Sequence, residues 1–117
     1  VEGSAGAELE ERIPYDPERD IMFRKFVPSA FFGTNLAEIL RERGVENVLV
    51  CGVKTNVCCR ATATDASAYR FRTYMISDML GTNTKEINDF HLAEMTKYFA
   101  KAISSDEVCE RLKNGVF

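Results

Sequence analysis

The sequence predicts an α/β fold in which a parallel sheet carries helices on its faces. Two apolar runs, 45–53 and 71–77, are each followed by a helical pattern, at 56–69 and at about 85–101. Strands that alternate with helices along a chain are typical of a parallel sheet. One face of the helix at 56–69 carries small residues, namely Val57, Ala61, Thr64 and Ala68. These small side chains let that helix lie close to the sheet.

The amino-terminal part of the chain has the weakest pattern. Residues 1–18 combine glycines, prolines and acids without a period, which predicts a loop with one helical turn at about 7–11. The apolar segment 20–25 predicts a short strand that ends in a lysine. A loop and a helix over 36–43 follow, and Gly44 ends that helix.

The carboxyl-terminal part predicts two more helices and a short strand. The strand at 71–77 ends at Asp78, and the helix at about 85–101 has a broad apolar face. Residues 102–104 predict an edge strand, and Ser105 is a suitable N-cap for a last helix that ends near 114–115.

Length, composition and charge limit the classes of function that this chain can have. The chain has 117 residues, which is one domain or less, so we expect a single domain over 1–117. Its charged fraction is 28% and its net charge is −3, without a basic stripe, so neither nucleic acid nor a membrane surface is an expected partner. No apolar stretch approaches the roughly 18 residues of a spanning helix, and no secretory signal is visible, so we expect a cytoplasmic location.

The four cysteines are predicted to be reduced thiols. Cys58 and Cys59 are adjacent, Cys51 falls in a strand predicted to be buried, and no secretory signal is present. Two disulfides are therefore not expected.

Residues 48–59 form the most informative stretch, an apolar run that breaks at Gly52 and then offers two adjacent thiols. A buried strand, a tight turn and a helix start place Cys58 in the first turn of a helix. There, unpaired N–H groups and the positive end of the helix dipole favour a thiolate over a thiol. The residues alone propose a cysteine nucleophile and leave a buried structural cysteine as an equal alternative.

Two segments resemble the isochorismatase-like cysteine hydrolases, a superfamily that includes nicotinamidase, N-carbamoylsarcosine amidohydrolase and ureidoacrylate amidohydrolase. The first segment is Gly52-Val53-Lys54-Thr55-Asn56-Val57-Cys58-Cys59, followed by Thr62-Ala63 and Asp65-Ala66. The second is Lys25-Phe26-Val27-Pro28-Ser29-Ala30-Phe31, which is similar to the family's Lys-x-x-x-Ser-Ala-Phe element. The resemblance runs over essentially the whole chain.

The resemblance implies a thiol mechanism. Cys58 would attack an amide or ureide carbonyl and form a thioester, and Lys25 would be the cation that favours the thiolate. The backbone N–H groups of Lys54 and Cys58 would hold the oxyanion, after a cis peptide between Val53 and Lys54. Arg24 is the alternative cation if the register differs by one residue.

Further residues near the proposed nucleophile are expected to cap the helix, pack or border the substrate. Thr55 and Asn56 are expected to cap the helix and to border the substrate pocket. Phe31 either walls the substrate site or belongs to the core, and Cys59 is expected to pack. His91 is a lone helical histidine, so no metal and no cofactor are expected.

The resemblance also implies an incomplete three-layer α-β-α domain with a mostly parallel, doubly wound sheet of order 3-2-1-4-5-6. This chain would supply the carboxyl-terminal part, strands 3 to 6, and would leave a gap between strands 3 and 4. Roughly the amino-terminal two fifths of a typical domain is expected to be absent. The family's general-base aspartate has no counterpart, since Asp16 and Asp20 lack its Asp-x-Gln context.

We therefore expect a cysteine-dependent amidohydrolase that cleaves a C–N bond of a small amide or carbamoyl compound, acting as a homo-oligomer. A missing amino-terminal segment or a second polypeptide would complete it. The rival from another class is a non-catalytic half-domain that serves as a subunit or interaction module. A redox role for Cys58 and Cys59 is a third hypothesis.

Overall fold

Three parallel strands form the centre of the computed structural model, which describes all 117 residues. The strands are β1 (Asn47–Val53), β2 (Arg72–Gly81) and β3 (Lys101–Ile103). They lie side by side in sequence order, and both pairings are parallel. The α/β class predicted from the sequence is confirmed.

Four α-helices surround the sheet. They are α1 (Leu36–Glu42), α2 (Arg60–Ala68), α3 (Lys85–Tyr98) and α4 (Ser105–Asn114). A π-helical turn, Thr55–Cys59, joins β1 to α2 and is called the cysteine turn below. None of these helices is long and apolar enough to cross a membrane.

The helices occupy both faces of the sheet. On one face, Val50 and Met75 pack against Cys59 of the cysteine turn, Ala63 of α2 and Met95 of α3. On the other face, strand residues contact Val108 of α4, and these residues are Tyr74, Ile76 and Ile103. Because alternate residues of a strand point to opposite faces, neighbours in β2 serve different cores. The result is the predicted helix–sheet–helix layering. The prediction that the face with Val57, Thr64 and Ala68 lies against the sheet is wrong, since those residues are exposed and Ala63 is buried there instead.

The helix α1 packs through a third, smaller core. Phe31, Ala66 and Phe71 are buried together, with Leu36 and Leu40 of α1 against them. Gly44 follows α1 with a φ of 70°, the left-handed conformation that commonly ends a helix.

The predicted strand at 20–25 is wrong. These residues form no strand and have no strand partner, and Arg24 instead pairs with Glu2 at 2.7 Å. A strand needs a neighbour that accepts and donates backbone hydrogen bonds, and no strand of this chain lies beside the segment. The predicted gap between strands 3 and 4 therefore does not occur within the sheet of this chain.

Smaller differences concern element ends and one cysteine. The helical turn near the start covers Ala5–Ala7, β2 continues past residue 77 to Gly81, and Ser104 caps α4. Cys51 is exposed, because the face of β1 that carries it has no helix over it at that point. The prediction that Cys51 is buried is wrong.

Candidate active site

The cysteine turn follows directly from the carboxyl end of β1. The peptide bond between Val53 and Lys54 is cis. The Lys54 carbonyl accepts hydrogen bonds from the N–H groups of Val57 and Cys59, both at 3.1 Å. These bonds fold the chain back on itself, so Lys54 and the two cysteines lie within one compact turn.

The two adjacent cysteines differ in environment. Cys58 is half-buried, whereas Cys59 is only 5% exposed and belongs to the core between the sheet and the helices α2 and α3. Burial raises the pKa of Cys59 to about 11, the neighbouring thiols of Cys58 and Cys51 add to this rise, and the Lys25 ammonium opposes it. Cys59 is therefore a packing residue, and Cys58 is the thiol open to a reactant.

Two hydrogen bonds hold the cysteine turn from outside. The hydroxyl of Thr55, which is completely buried, donates to Oδ1 of Asn88 on α3 at 2.5 Å. The hydroxyl of Thr82, just after β2, donates to Oδ1 of Asn56 at 2.6 Å. Both side chains of the turn that were expected to border a pocket are thus engaged with the segment that follows β2.

The loop after Lys25 is fastened to α2. Ser29 is buried, and its hydroxyl donates to Oδ2 of Asp65 at 2.5 Å. The next N–H, of Ala30, donates to Oγ1 of Thr62 at 3.0 Å. The two segments that carry the family resemblance, one with Lys25 and one with Cys58, are therefore joined by these two hydrogen bonds.

Lys25 lies at the exposed end of this loop. Its ammonium donates to the Val27 carbonyl at 3.2 Å and lines two surface depressions of about 390 and 160 Å³, neither of which includes Cys58. Lys25 makes no hydrogen bond or ion pair with either cysteine of the turn, although its positive charge opposes the rise that burial causes in the pKa of the Cys59 thiol. Arg24, the alternative cation, is already paired with Glu2.

Phe31 is a core residue. It is 3% exposed, and its ring lies 5.5 Å from that of Tyr69 and 6.1 Å from that of Phe71, measured between centroids. Of the two roles considered for Phe31, the structure supports packing, because its burial leaves no surface for a substrate. Asn56 is half-buried and lines a surface groove of about 490 Å³ along α2.

The aspartates that precede Lys25 are engaged locally. Asp20 accepts hydrogen bonds from the Arg19 guanidinium and the Asp16 N–H, at 2.9 Å each. The hydrogen bond from Arg19, followed by that from Asp16, lowers the pKa of Asp20 to about 2. Such a carboxylate holds its own turn together and is a poor proton acceptor at neutral pH.

His91 contacts an arginine rather than other metal-binding groups. Its Nδ1 lies 2.7 Å from the Arg60 guanidinium, which can only donate. No group of three or more His, Cys, Asp or Glu side chains is arranged to hold a metal ion.

Sequence reasoning did not assign roles to four polar residues that shape this region. Thr62 and Asp65 of α2 fix the Lys25 loop, and Thr82 and Asn88 fix the cysteine turn. Thr62 and Asp65 fall inside the recognisable segment after Cys58, which is a usable signal. Thr82 and Asn88 carry no such signal, because their partners lie 26 and 33 residues away.

Comparison with known proteins shows the family. Residues 1–107 match the family model described as the isochorismatase domain. Nicotinamidase 3 of Arabidopsis thaliana is 36% identical over 76% of this chain and 45% of its own length. A probable inactive nicotinamidase of the same plant is 33% identical over 96% of this chain and 58% of its own length.

Solved structures show the same fold. An isochorismatase-like hydrolase from Alkaliphilus metalliredigens superposes with a TM-score of 0.87 and 32% identity, over 94% of this chain and 60% of its own. N-carbamoylsarcosine amidase from Thermoplasma acidophilum gives 0.80 and 29%, over 90% and 59% of the two chains. The chain spans about half the length of the curated relatives it matches.

Proposed function

Because this chain belongs to the isochorismatase family, we propose that it carries the nucleophilic part of an amidohydrolase site with Cys58 as the nucleophile. One observation carries the proposal. Cys58 is a half-buried thiol in a helical turn at the carboxyl end of β1, next to a cysteine that the core shields. Ligands of open parallel sheets bind outside the carboxyl ends of the strands.

The proposed reaction begins at the Cys58 thiolate. The sulfur attacks the carbonyl carbon of a small amide or carbamoyl compound, and a C–S bond forms as the carbonyl becomes an oxyanion. The backbone N–H groups of Lys54 and Cys58, which follow the cis bond after Val53, hold that oxyanion. The Lys25 ammonium favours the thiolate over the thiol.

The second half of the reaction regenerates the thiol. The C–N bond breaks, nitrogen leaves with a proton as ammonia or an amine, and a thioester remains on Cys58. Water then attacks the thioester and releases the acid. Proton transfer in both halves requires a general base, and since Asp20 is held by Arg19, we propose that a carboxylate from polypeptide outside these 117 residues supplies it.

Two of the similar proteins support a small amide or carbamoyl compound as the substrate. They are named nicotinamidase 3 and N-carbamoylsarcosine amidase. In this chain, Asn56 is proposed to border the substrate, and the buried hydroxyl of Thr55 to support the turn beneath the substrate. We propose that the working enzyme is a homo-oligomer that needs no cofactor.

Ammonia release tests the proposal. The protein as isolated from its source, together with the polypeptide that completes it, is incubated with nicotinamide and with N-carbamoylsarcosine, and ammonia is followed for the unmodified protein, Cys58→Ser and Cys59→Ser. We expect release that Cys58→Ser abolishes and that Cys59→Ser retains. Equal release from Cys58→Ser and the unmodified protein would exclude Cys58 as the nucleophile.

A second candidate function is a non-catalytic isochorismatase-like module that serves as a subunit or interaction piece. It is favoured by the relative named as probably inactive, which matches 96% of this chain. This candidate predicts no ammonia release from any amide even when further polypeptide is present.

A further inference from the structure

We propose that Asn88 and Thr82 are positioning residues that hold the cysteine turn in the shape needed to bind the oxyanion. This inference rests on the proposed function and adds residues that act through Thr55 and Asn56 without touching the substrate.

The cysteine turn needs external support. The turn runs directly into α2, and its backbone is bonded at both ends, since Val57 and Cys59 donate to the Lys54 carbonyl and Arg60 donates to the Thr55 carbonyl. The side chains of Thr55 and Asn56 are held instead by partners outside the turn. π-Helical turns are uncommon and occur frequently at functional sites.

The support comes from one short segment. Thr82 precedes α3, and Asn88, six residues later, lies in the first turn of that helix. That segment is itself fixed, since the Thr84 hydroxyl caps α3 by accepting from the Ile87 N–H at 3.2 Å. A rigid donor and a rigid acceptor therefore face the two adjacent residues of the turn.

The contact between Thr55 and Asn88 cannot be replaced by water. Thr55 is completely buried, so its hydroxyl would be left unsatisfied if the Asn88 oxygen were removed. A buried unsatisfied hydroxyl is costly, and the turn would shift to find another acceptor. Lys54 is the residue before Thr55, so such a shift would move the proposed oxyanion donors directly.

The experiment compares two reactions of Cys58. Acylation by p-nitrophenyl acetate forms a C–S bond and expels p-nitrophenolate through an oxyanion, whereas alkylation by iodoacetamide displaces iodide without one. A residue that positions the oxyanion donors should affect acylation alone. Both rates are read by mass spectrometry of the peptide that contains Cys58.

The variants separate positioning from folding. Asn88→Leu removes the acceptor of the Thr55 hydrogen bond, and Asn88→Asp keeps an oxygen at that place. Thr82→Val removes the donor of the other hydrogen bond, to Asn56, and should loosen the turn in the same way. Thr96→Ala is the matched control, because Thr96 lies on the same helix and its hydroxyl bonds only to the Ala93 carbonyl at 3.0 Å. We expect Asn88→Leu and Thr82→Val to slow acylation about 10- to 100-fold with alkylation unchanged.

The outcomes are distinct. Near-normal acylation in Asn88→Asp and Thr96→Ala would complete the expected pattern. Unchanged acylation in both Asn88→Leu and Thr82→Val overturns the positioning role, and so does a parallel loss of both reactions. If the unmodified protein is alkylated but never acylated, the proposed function itself fails, and the positioning role fails with it.

Discussion

Cys58 and Cys59 share a peptide bond, yet their surroundings give the two sulfur atoms different chemistry. Cys59 is enclosed by Val50, Ala63 and Met75, and that enclosure disfavours a charged sulfur. Cys58 points away from this core and is half-buried. At the scale of the single residue, exclusion of water from Cys59 decides which thiol can react.

The first prediction concerns alkylation of the thiols. Because burial raises the pKa of Cys59 to about 11, only about one Cys59 in a thousand is a thiolate at pH 8. A raised pKa delays ionisation, so labelling of Cys59 should increase only as the pH approaches 11. Timed iodoacetamide labelling with peptide mapping should show Cys58 first, the exposed Cys51 and Cys109 next and Cys59 last. Labelling of Cys59 as fast as Cys109 at pH 8 would contradict this order.

The second prediction concerns Lys25. Lys25→Met removes the proposed cation of the site, so acylation of Cys58 at pH 7 should fall about 10²-fold or more. Lys25→Arg keeps the charge and should retain more of the rate. Arg24→Met is the control and should leave the acylation rate unchanged, because Arg24 already pairs with Glu2.

At the scale of elements, the main contact near the site joins α2 to the loop of residues 26–34, which follows Lys25. Ser29 and Asp65 come from segments 36 residues apart and bond at 2.5 Å, and Phe31 anchors the same loop in the core. This contact ties the loop after Lys25 to the helix that follows the cysteine turn.

The third prediction tests this contact. Ser29→Ala leaves the partly buried Asp65 carboxylate without its hydroxyl donor, so the free energy of unfolding should fall by about 1 to 3 kcal/mol. Urea unfolding followed by circular dichroism measures the change. Ser67→Ala, on the same helix but without a comparable buried hydrogen bond, should change it by less than about 0.5 kcal/mol. Equal losses in the two variants would show that the bond does not stabilise the loop.

The elements also show what the sequence can predict. Helix ends at Gly44 and Gly115, the strand within 45–53 and the helical turn that contains Cys58 depend on neighbouring residues, so local patterns reveal them. The segment 20–25 has a strand-like pattern but forms no strand, because pairing depends on a distant partner.

For the site, the sequence could predict candidate residues but not the contacts that hold them. The resemblance identified Cys58 and Lys25 as candidates, and the comparisons support the family to which those motifs belong. The core position of Phe31 and the bond between Thr55 and Asn88 depend on residues far away in the chain, which no periodicity encodes.

At the scale of the whole molecule, the sheet has an open side. β1 pairs only with β2, and Cys51 and Val53 on one of its faces are exposed. An unpaired strand edge beside exposed apolar residues is a surface that proteins usually cover. This surface, together with relatives about twice as long, supports the proposal that polypeptide outside these 117 residues completes the site.

The fourth prediction follows from this open side. Native and denaturing mass spectra of the protein from its source should both show further polypeptide, either joined to this chain or as a separate piece. A separate piece should have roughly 70 to 90 residues, the difference from a domain of about 150 to 200 residues. A species of 117 residues alone, as a monomer or a homo-oligomer, would favour the non-catalytic module.

The central claim is that Cys58 forms a thioester with the acyl group of a small amide. Rapid acid quench during turnover tests this claim most directly. The protein is mixed with N-carbamoylsarcosine or nicotinamide, quenched within milliseconds, digested and sequenced by tandem mass spectrometry. We expect an acyl group on Cys58 that disappears as ammonia accumulates, and none on Cys51, Cys59 or Cys109. Ammonia release without any adduct on Cys58, or with the adduct on another cysteine, would contradict the claim.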